Sequence, residues 1–319
     1  MPDNLILGID LGGTNCKFGI VDNAGRVINS SKAPTRADSG PEGVVDGIVR
    51  HAKELIDAGY AVKAIGMGCP GPMSARDGII FQAPNLPGWH DVPLQKMMEE
   101  RLSLPVALNN DANAAAYGEF WVGAGTEVDT MILITLGTGV GGGIILANEL
   151  YLGPDDTAGE IGHMIIQADG PQCNCGSRGC IEALVGSAAI RRTIMEQIDA
   201  GEPTIINIPD GAEDDFEIKV VYDAAVKGDK VAKETFANMG HLLGIATGTL
   251  INLFNPEMIA YGGAVSNAGD FIFKPLRETA MKSCFKKPGQ RAKLVAASLG
   301  NDAGIIGAAG LAMKRYKLR

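Results

Sequence analysis

The chain has no long run of basic residues: 28 lysines and arginines stand against 37 aspartates and glutamates, a formal net charge of −9. A protein whose main partner is nucleic acid carries a basic patch or stripe, so that class is excluded. A phosphate ligand is not excluded, because backbone N–H groups and Mg2+ bind phosphate without a basic surface. No segment approaches the ~20 apolar residues a membrane helix needs. The N-terminal stretch MPDNLILGIDLGG has no basic n-region, and its apolar run is too short for a secretory signal. The expectation is a cytoplasmic protein with no membrane partner. Disulfides are rare in that compartment, so clustered cysteines read as metal ligands or redox groups.

What is present is ordinary for a globular protein: 319 residues, 46% apolar and 20% charged, enough for one large or two ordinary domains. Leu5 to Ile9 is a short apolar run of strand type, followed by Asp10-Leu11-Gly12-Gly13-Thr14-Asn15 and a second strand-like run, Phe18 to Val21. Val44, Val45, Ile48, Val49, Ala52, Leu55 and Ile56 fall at helical spacing before a stop at Gly59. Strands are predicted at Ala64–Gly68 and Pro105–Leu108, and an alanine-rich helix from Ala112 to Trp121. Met131 to Leu136, then Gly137-Thr138-Gly139-Val140-Gly141-Gly142-Gly143, then Ile144 to Leu146 repeats the opening pattern of strand, glycine turn and strand. This reads as an internal duplication. Ala183 to about Phe254 reads as mainly helical, interrupted by an acidic loop at Asp210 to Asp215. A strand at Met258–Tyr261 and a small-residue helix at Gly304–Lys314 complete the pattern. Alternating strands and helices imply α/β architecture, and two glycine-hairpin halves imply two lobes with a cleft between them.

The glycine turns admit two readings. Either is an ordinary hairpin turn, in which glycine is at home; or each is an anion cradle in which glycine lets consecutive backbone N–H groups approach a ligand closely. Two such turns in one chain, each with a threonine (Thr14, Thr138), favour phosphate, with Lys17 in reach of it and Asp10 placed to hold Mg2+ through water. Gly137 to Gly142 also satisfies G-x-G-x-x-G, but that dinucleotide motif needs a helix directly after it, and Ile144 to Leu146 continues as strand.

Cys173, Cys175 and Cys180 share one glycine-rich segment, with His163 ten positions upstream of the first. Three thiolates and an imidazole match a tetrahedral zinc site better than they match free thiols or a redox pair. Four protein ligands leave no open position, so this zinc would be structural. Cys16, Cys69 and Cys284 read as small buried apolar residues. Asp111 follows a strand end, where active sites form in α/β proteins, although its position alone fits a helix N-cap as well. Glu160 and Glu182 flank the cysteine segment and read, singly, as solvent-exposed; together they suit a polyol, since a carboxylate accepts from two vicinal hydroxyls. His51, His90 and His241 read as surface or packing residues.

The segments Asp10–Asn15, Asn109-Asn110-Asp111-Ala112-Asn113-Ala114-Ala115, Leu136–Gly143, Gly159-Glu160-Ile161-Gly162-His163, Cys173-Asn174-Cys175-Gly176 and Gly179-Cys180-Ile181-Glu182 together resemble the ROK family (repressor, open reading frame, kinase) over essentially the whole chain. The resemblance implies a two-lobed actin-like, ribonuclease H-like sugar kinase fold. The expected division is a smaller lobe at 1–116, onto which the helix at about 304–319 packs back, and a larger lobe at 117–303 carrying the zinc loop. It implies ATP-dependent phosphorylation of a hexose, glucose to glucose 6-phosphate first, with N-acetylmannosamine or N-acetylglucosamine as the alternative acceptor. Mg-ATP would lie between the lobes, whose closure excludes water.

In this reading Asp111 is the base toward the sugar hydroxyl. Asn85, Asn110, Glu160, His163 and Glu182 contact the sugar, and His163 uses its second ring nitrogen on zinc. Asp10, Gly12, Gly13, Thr14 and Lys17 form the first phosphate loop, Gly137, Thr138 and Gly139 the second, and Gly262, Gly263 and Ala264 the adenosine-side turn. A homodimer is also implied. The family includes DNA-binding repressors, whose extra domain would precede the first glycine turn; with that turn opening at Asp10, a sugar-responsive regulator is disfavoured.

Overall fold

A computed structural model describes residues 4–208 and 218–318. The acidic stretch Asp210 to Asp215 lies outside the described residues. The chain folds as two compact units, Met1–Asp129 with Gly143–Gly159 and Ala297–Arg319, and Thr130–Gly142 with Glu160–Ala296. The division drawn from sequence between 116 and 117 cuts a helix that lies whole within the first unit.

The first unit is built on five strands: β1 (Leu5–Leu11), β2 (Asn15–Val21), β3 (Val27–Pro34), β4 (Val62–Cys69) and, after a small three-stranded sheet, β8 (Val106–Asn110). They lie in the order β3-β2-β1-β4-β8, with β1–β2 and β2–β3 antiparallel and β1–β4 and β4–β8 parallel. The small sheet comprises β5 (Met73–Ser74), β6 (Ile79–Gln82) and β7 (His90–Val92). Period-two alternation sorts β1 by face. Leu5, Leu7, Ile9 and Leu11 join the large core with Val45 and Ile48 of α1 (Gly40–Asp57) and Leu94 and Met98 of α2 (Leu94–Leu102). Ile6 joins Ala64, Ala107, Ala309, Ala312 and Met313 on the other face, beneath α10 (Ala303–Arg315). The C-terminal helix thus packs within the first unit. It sits close because glycine faces it: a Cβ on Gly66 would stand 1.9 Å from the Ala308 carbonyl oxygen.

The strands β9 (Met131–Leu136), β10 (Val140–Leu146), β11 (Glu149–Leu150), β12 (Met258–Gly262) and β13 (Lys293–Ala296) form a second sheet in the order β11-β10-β9-β12-β13. In order of appearance this is the same 3-2-1-4-5 arrangement as the first sheet, so the duplication read from the glycine turns holds for whole sheets. Helices α4 (Ile181–Val185), α5 (Ser187–Asp199), α6 (Ile218–Val226) and α7 (Lys230–Phe254) follow the helical character predicted for Ala183 to about Phe254, whereas α8 (Asp270–Ser283) and α9 (Lys286–Arg291) were not read from the sequence. No helix among the described residues is long and apolar enough to cross a membrane.

Candidate active site

In the first unit, parallel pairing sets Asp10 beside Gly68 and Gly68 beside Asn109. Adjacent strands lie about 4.8 Å apart, so the end of β1 and the end of β8 share one sheet edge roughly 10 Å apart. This is the carboxyl edge of the parallel strands, where α/β proteins bind ligands. β8 runs without a loop into α3 (Asp111–Val122). The N-cap of α3 is Asn110, not Asp111: the Asn110 side chain accepts from the N–H groups of Ala112 (3.0 Å) and Asn113 (3.3 Å). Asp111 is therefore the first helical residue, exposed at that edge, with Oδ1 also accepting from Ala112 N–H at 2.8 Å. Gly68 lets α3 sit close, since a Cβ there would stand 3.3 Å from the Ala114 Cβ.

The β1–β2 turn carries the other residues of this edge. Lys17 donates from Nζ to Asp10 Oδ2 at 3.4 Å, across the antiparallel pair, and to the Asn301 carbonyl at 3.5 Å. Asn85 stands at the same turn: a Cβ on Gly13 would meet its Cβ at 3.2 Å. Neither Gly12 nor Gly13 has a left-handed φ. The glycines here serve close approach rather than a special turn conformation, Gly12 because a Cβ would press to 2.8 Å from the Asn15 carbonyl.

In the second unit, Cys173, Cys175, Cys180 and His163 offer ligand atoms that all lie within 4.8 Å of one another. Cys175 Sγ and Cys180 Sγ are 3.7 Å apart, and Cys173 Sγ is 3.7 Å from His163 Nδ1. Zinc–sulfur bonds of about 2.3 Å at tetrahedral angles require sulfurs about 3.8 Å apart, so the donor set fits zinc. Burial raises the Cys173 thiol above its usual range and pushes Cys180 to about 12, while the Ser177 backbone N–H leads in bringing Cys175 down to about 7. Thiolates that are costly to bury alone are what a bound dication stabilises. Because His163 turns Nδ1 to the sulfurs, its Nε2 is left for another partner.

Glu182, at the start of α4, accepts from Val140 N–H at 2.9 Å through Oε2, while its Oε1 lies 3.9 Å from Cys173 Sγ. It is thus a tether between the cysteine cluster and the second glycine turn rather than a free surface carboxylate. Glu160 is held above the usual carboxylate range by desolvation, with His163 opposing the shift and Glu182 adding to it. On the same turn, a Cβ on Gly139 would stand 2.4 Å from Glu182 Oε2, whereas one on Gly137 would meet nothing within 4 Å. Thr138 is exposed. At the end of β12, Gly263 has φ 85°, and a Cβ there would lie 2.1 Å from the Leu136 carbonyl; Ala264 opens a short 3-10 turn. The G-x-G-x-x-G pattern runs into strand β10, not a helix.

The ROK family profile matches residues 6–315. The chain belongs to the ROK family. The glucokinase of Thermotoga maritima is 36% identical over 315 residues, covering 99% of each chain. The xylose repressor of Caldicellulosiruptor bescii is 30% identical over 95% of this chain and 76% of its own length. Among solved structures, a ROK family glucokinase from Streptomyces griseus in complex with glucose and AMPPNP is 37% identical, with a TM-score of 0.83 over 97% of this chain and 99% of that one. The fold is the actin-like, ribonuclease H-like α/β fold of the ROK sugar kinases.

Two residues of this ROK protein escaped the sequence reading. Thr35 donates its hydroxyl to the Gly12 carbonyl at 2.6 Å and its N–H to the Thr14 carbonyl at 2.9 Å. Ser187, opening α5, donates its hydroxyl to the Gly137 carbonyl at 2.8 Å. Each glycine turn therefore has a carbonyl engaged by a hydroxyl, and a carbonyl so engaged is not left to repel an anion. For Ser187 the signal was a Gly-Ser pair at a helix start; for Thr35 none was available, because the partner is 23 residues away. Of the cysteines read as buried, Cys16 and Cys69 are, but Cys284 is only half-buried.

Proposed function

We propose that the protein is an ATP-dependent hexokinase of the cytoplasm that converts glucose to glucose 6-phosphate. The observation that carries this is the pairing of a helix-leading aspartate, Asp111, at the carboxyl edge of the first sheet with two glycine turns of matching topology. The names and bound ligands of the glucokinase relatives support it.

In this reading the sugar hydroxyl oxygen attacks the γ-phosphorus of ATP, the bond to the β–γ bridging oxygen breaks, ADP leaves with that electron pair, and the hydroxyl proton passes to Asp111. Thr14, Lys17 and the N–H groups around Gly12 and Gly13 take one part of the triphosphate, those around Gly137 to Gly139 another, and Gly262 to Ala264 the adenosine. Asp10 would help hold Mg2+, which would supply charge neutralisation to the triphosphate. Asn85, Asn110, Glu160, His163 Nε2 and Glu182 orient the sugar. Zinc on His163, Cys173, Cys175 and Cys180 fixes a segment with little regular structure, and with it the placement of His163 and Glu182. The homodimer that the family resemblance implies is tested by light scattering.

The deciding experiment is ADP release with Mg-ATP over glucose, mannose, fructose, N-acetylglucosamine and N-acetylmannosamine. Preference for glucose is expected; preference for an N-acetylated sugar moves the acceptor, and silence with every sugar from zinc-loaded protein overturns the kinase reading.

A further inference from the structure

The first unit holds a recess that shares no residue with the sites above. It has a volume of about 630 Å3 and lies among the C-terminal half of α3, the end of α10 and the turn joining β10 to β11. Tyr117, Phe120 and Trp121 give it an aromatic wall, and Lys314 and Lys317 supply positive charge. Lys314 is fixed there: its Nζ pairs with the Glu149 carboxylate and lies 5.9 Å from the centroid of the Tyr117 ring. Lys317 makes no ion pair among the described residues.

The hairpin that delivers Glu149 has an unusual backbone. Ala147 and Asn148 both take positive φ, 48° and 69°, the pattern of a two-residue type I′ turn. Asparagine tolerates that region, whereas alanine is strained in it, and strained backbone tends to mark functional positions. Of the charged groups lining the recess, Lys314 and Glu149 neutralise each other, which leaves Lys317 as its net positive charge.

A volume of this size accepts a small organic molecule. Aromatic walls accept ring faces, and lysine ammonium groups bind phosphate as point charges. We propose that this recess is a second small-molecule site, selective for an organic phosphate that carries a ring, with the ring on the Phe120–Trp121 wall and the phosphate on Lys317, beside the Lys314–Glu149 pair. A sugar phosphate and a nucleoside monophosphate share that chemistry. The site shares no residue with the proposed kinase site, which is filled with glucose and AMPPNP during the test so that the two are read apart.

The chain has two tryptophans, and one of them lines the recess, so intrinsic fluorescence reports on it. Glucose 6-phosphate and AMP are titrated separately into the full-length protein held at saturating glucose and AMPPNP, with inorganic phosphate as control. The expected result is a saturable emission change with at least one organic phosphate, about tenfold weaker affinity for inorganic phosphate, and loss of the signal in Trp121→Phe. In Lys317→Ala the apparent Kd rises about tenfold with an unchanged melting temperature, and isothermal titration shows the same rise without relying on the fluorophore. The organic phosphate that saturates identifies the ring. The proposal is overturned by no saturable change with either ligand, by a change that persists in Trp121→Phe, or by binding that Lys317→Ala leaves intact.

Discussion

The Glu182 carboxylate accepts the Val140 backbone N–H at 2.9 Å while standing 3.9 Å from the Cys173 sulfur, so one side chain joins the cysteine cluster to the second glycine turn. In the proposed enzyme those two features serve different substrates, the sugar and ATP. Glu182→Ala is therefore expected to raise KM for both. A hydrogen bond to a charged group contributes about 1.5–3 kcal/mol, so each KM should rise by about tenfold or more. Steady-state kinetics with each substrate varied in turn checks this, and a rise confined to one substrate would show that the tether couples nothing.

Asp111→Asn keeps the shape of the side chain, and the helix cap belongs to Asn110, so stability should change little. The base is lost. Turnover is expected to fall by about 10²–10⁴-fold, with hexose affinity retained in calorimetry. Near-normal turnover would remove Asp111 from the base role.

Stripping metal from the His163, Cys173, Cys175 and Cys180 cluster should lower the melting temperature and the hexose affinity together, because the segment from Glu160 to Glu182 has little other structure to hold it. Elemental analysis of the untreated protein should find one zinc per chain. An apo-protein equal to the original in Tm and in hexose binding would count against a structural zinc.

Gly137 and Gly139 sit in one turn but in different surroundings, and alanine at each should fail differently. A Cβ at Gly139 meets Glu182 Oε2 at 2.4 Å, so Gly139→Ala should push that movable carboxylate off the Val140 N–H and cost about the 1.5–3 kcal/mol of a hydrogen bond to a charged group. A Cβ at Gly137 meets nothing within 4 Å, so Gly137→Ala should keep its melting temperature and raise KM for ATP alone. Thermal melts with ATP kinetics on both variants separate the two effects.

Asp229 caps α7, accepting from Ala232 N–H (2.9 Å), Ile205 N–H (2.8 Å) and the Thr204 hydroxyl (2.9 Å). Burial alone would raise its pKa; these donors outweigh burial and hold it below the ordinary aspartate value. A depressed folded-state pKa contributes stability above the unfolded pKa and loses it as pH falls through the folded value. Asp229→Ala should therefore cost about 0.5–2 kcal/mol at pH 7, with the deficit shrinking below about pH 4. Chemical denaturation across pH tests the sign.

What the sequence determined by itself is what depends on near neighbours. The apolar run Leu5 to Ile9 placed β1, the helical spacing in Val44 to Ile56 placed α1, the small-residue run placed α10, and three cysteines within eight positions marked the metal-type cluster. The repeat of strand, glycine turn and strand announced the duplication for the same reason. Tertiary structure alone decided which distant residues meet. Asp10 and Asn110 share a sheet edge only because β4 pairs with both β1 and β8 in one register, and no local pattern encodes a parallel register. Glu119 looks like a surface residue of an alanine-rich helix, yet it is wholly buried, accepting the N–H groups of Ala124, Ser298 and Leu299 and so tying the last segment of the chain to α3. Burying a carboxylate is tolerated only when donors surround it, and these donors are brought together by the packing of segments about 180 residues apart, which sequence spacing cannot express.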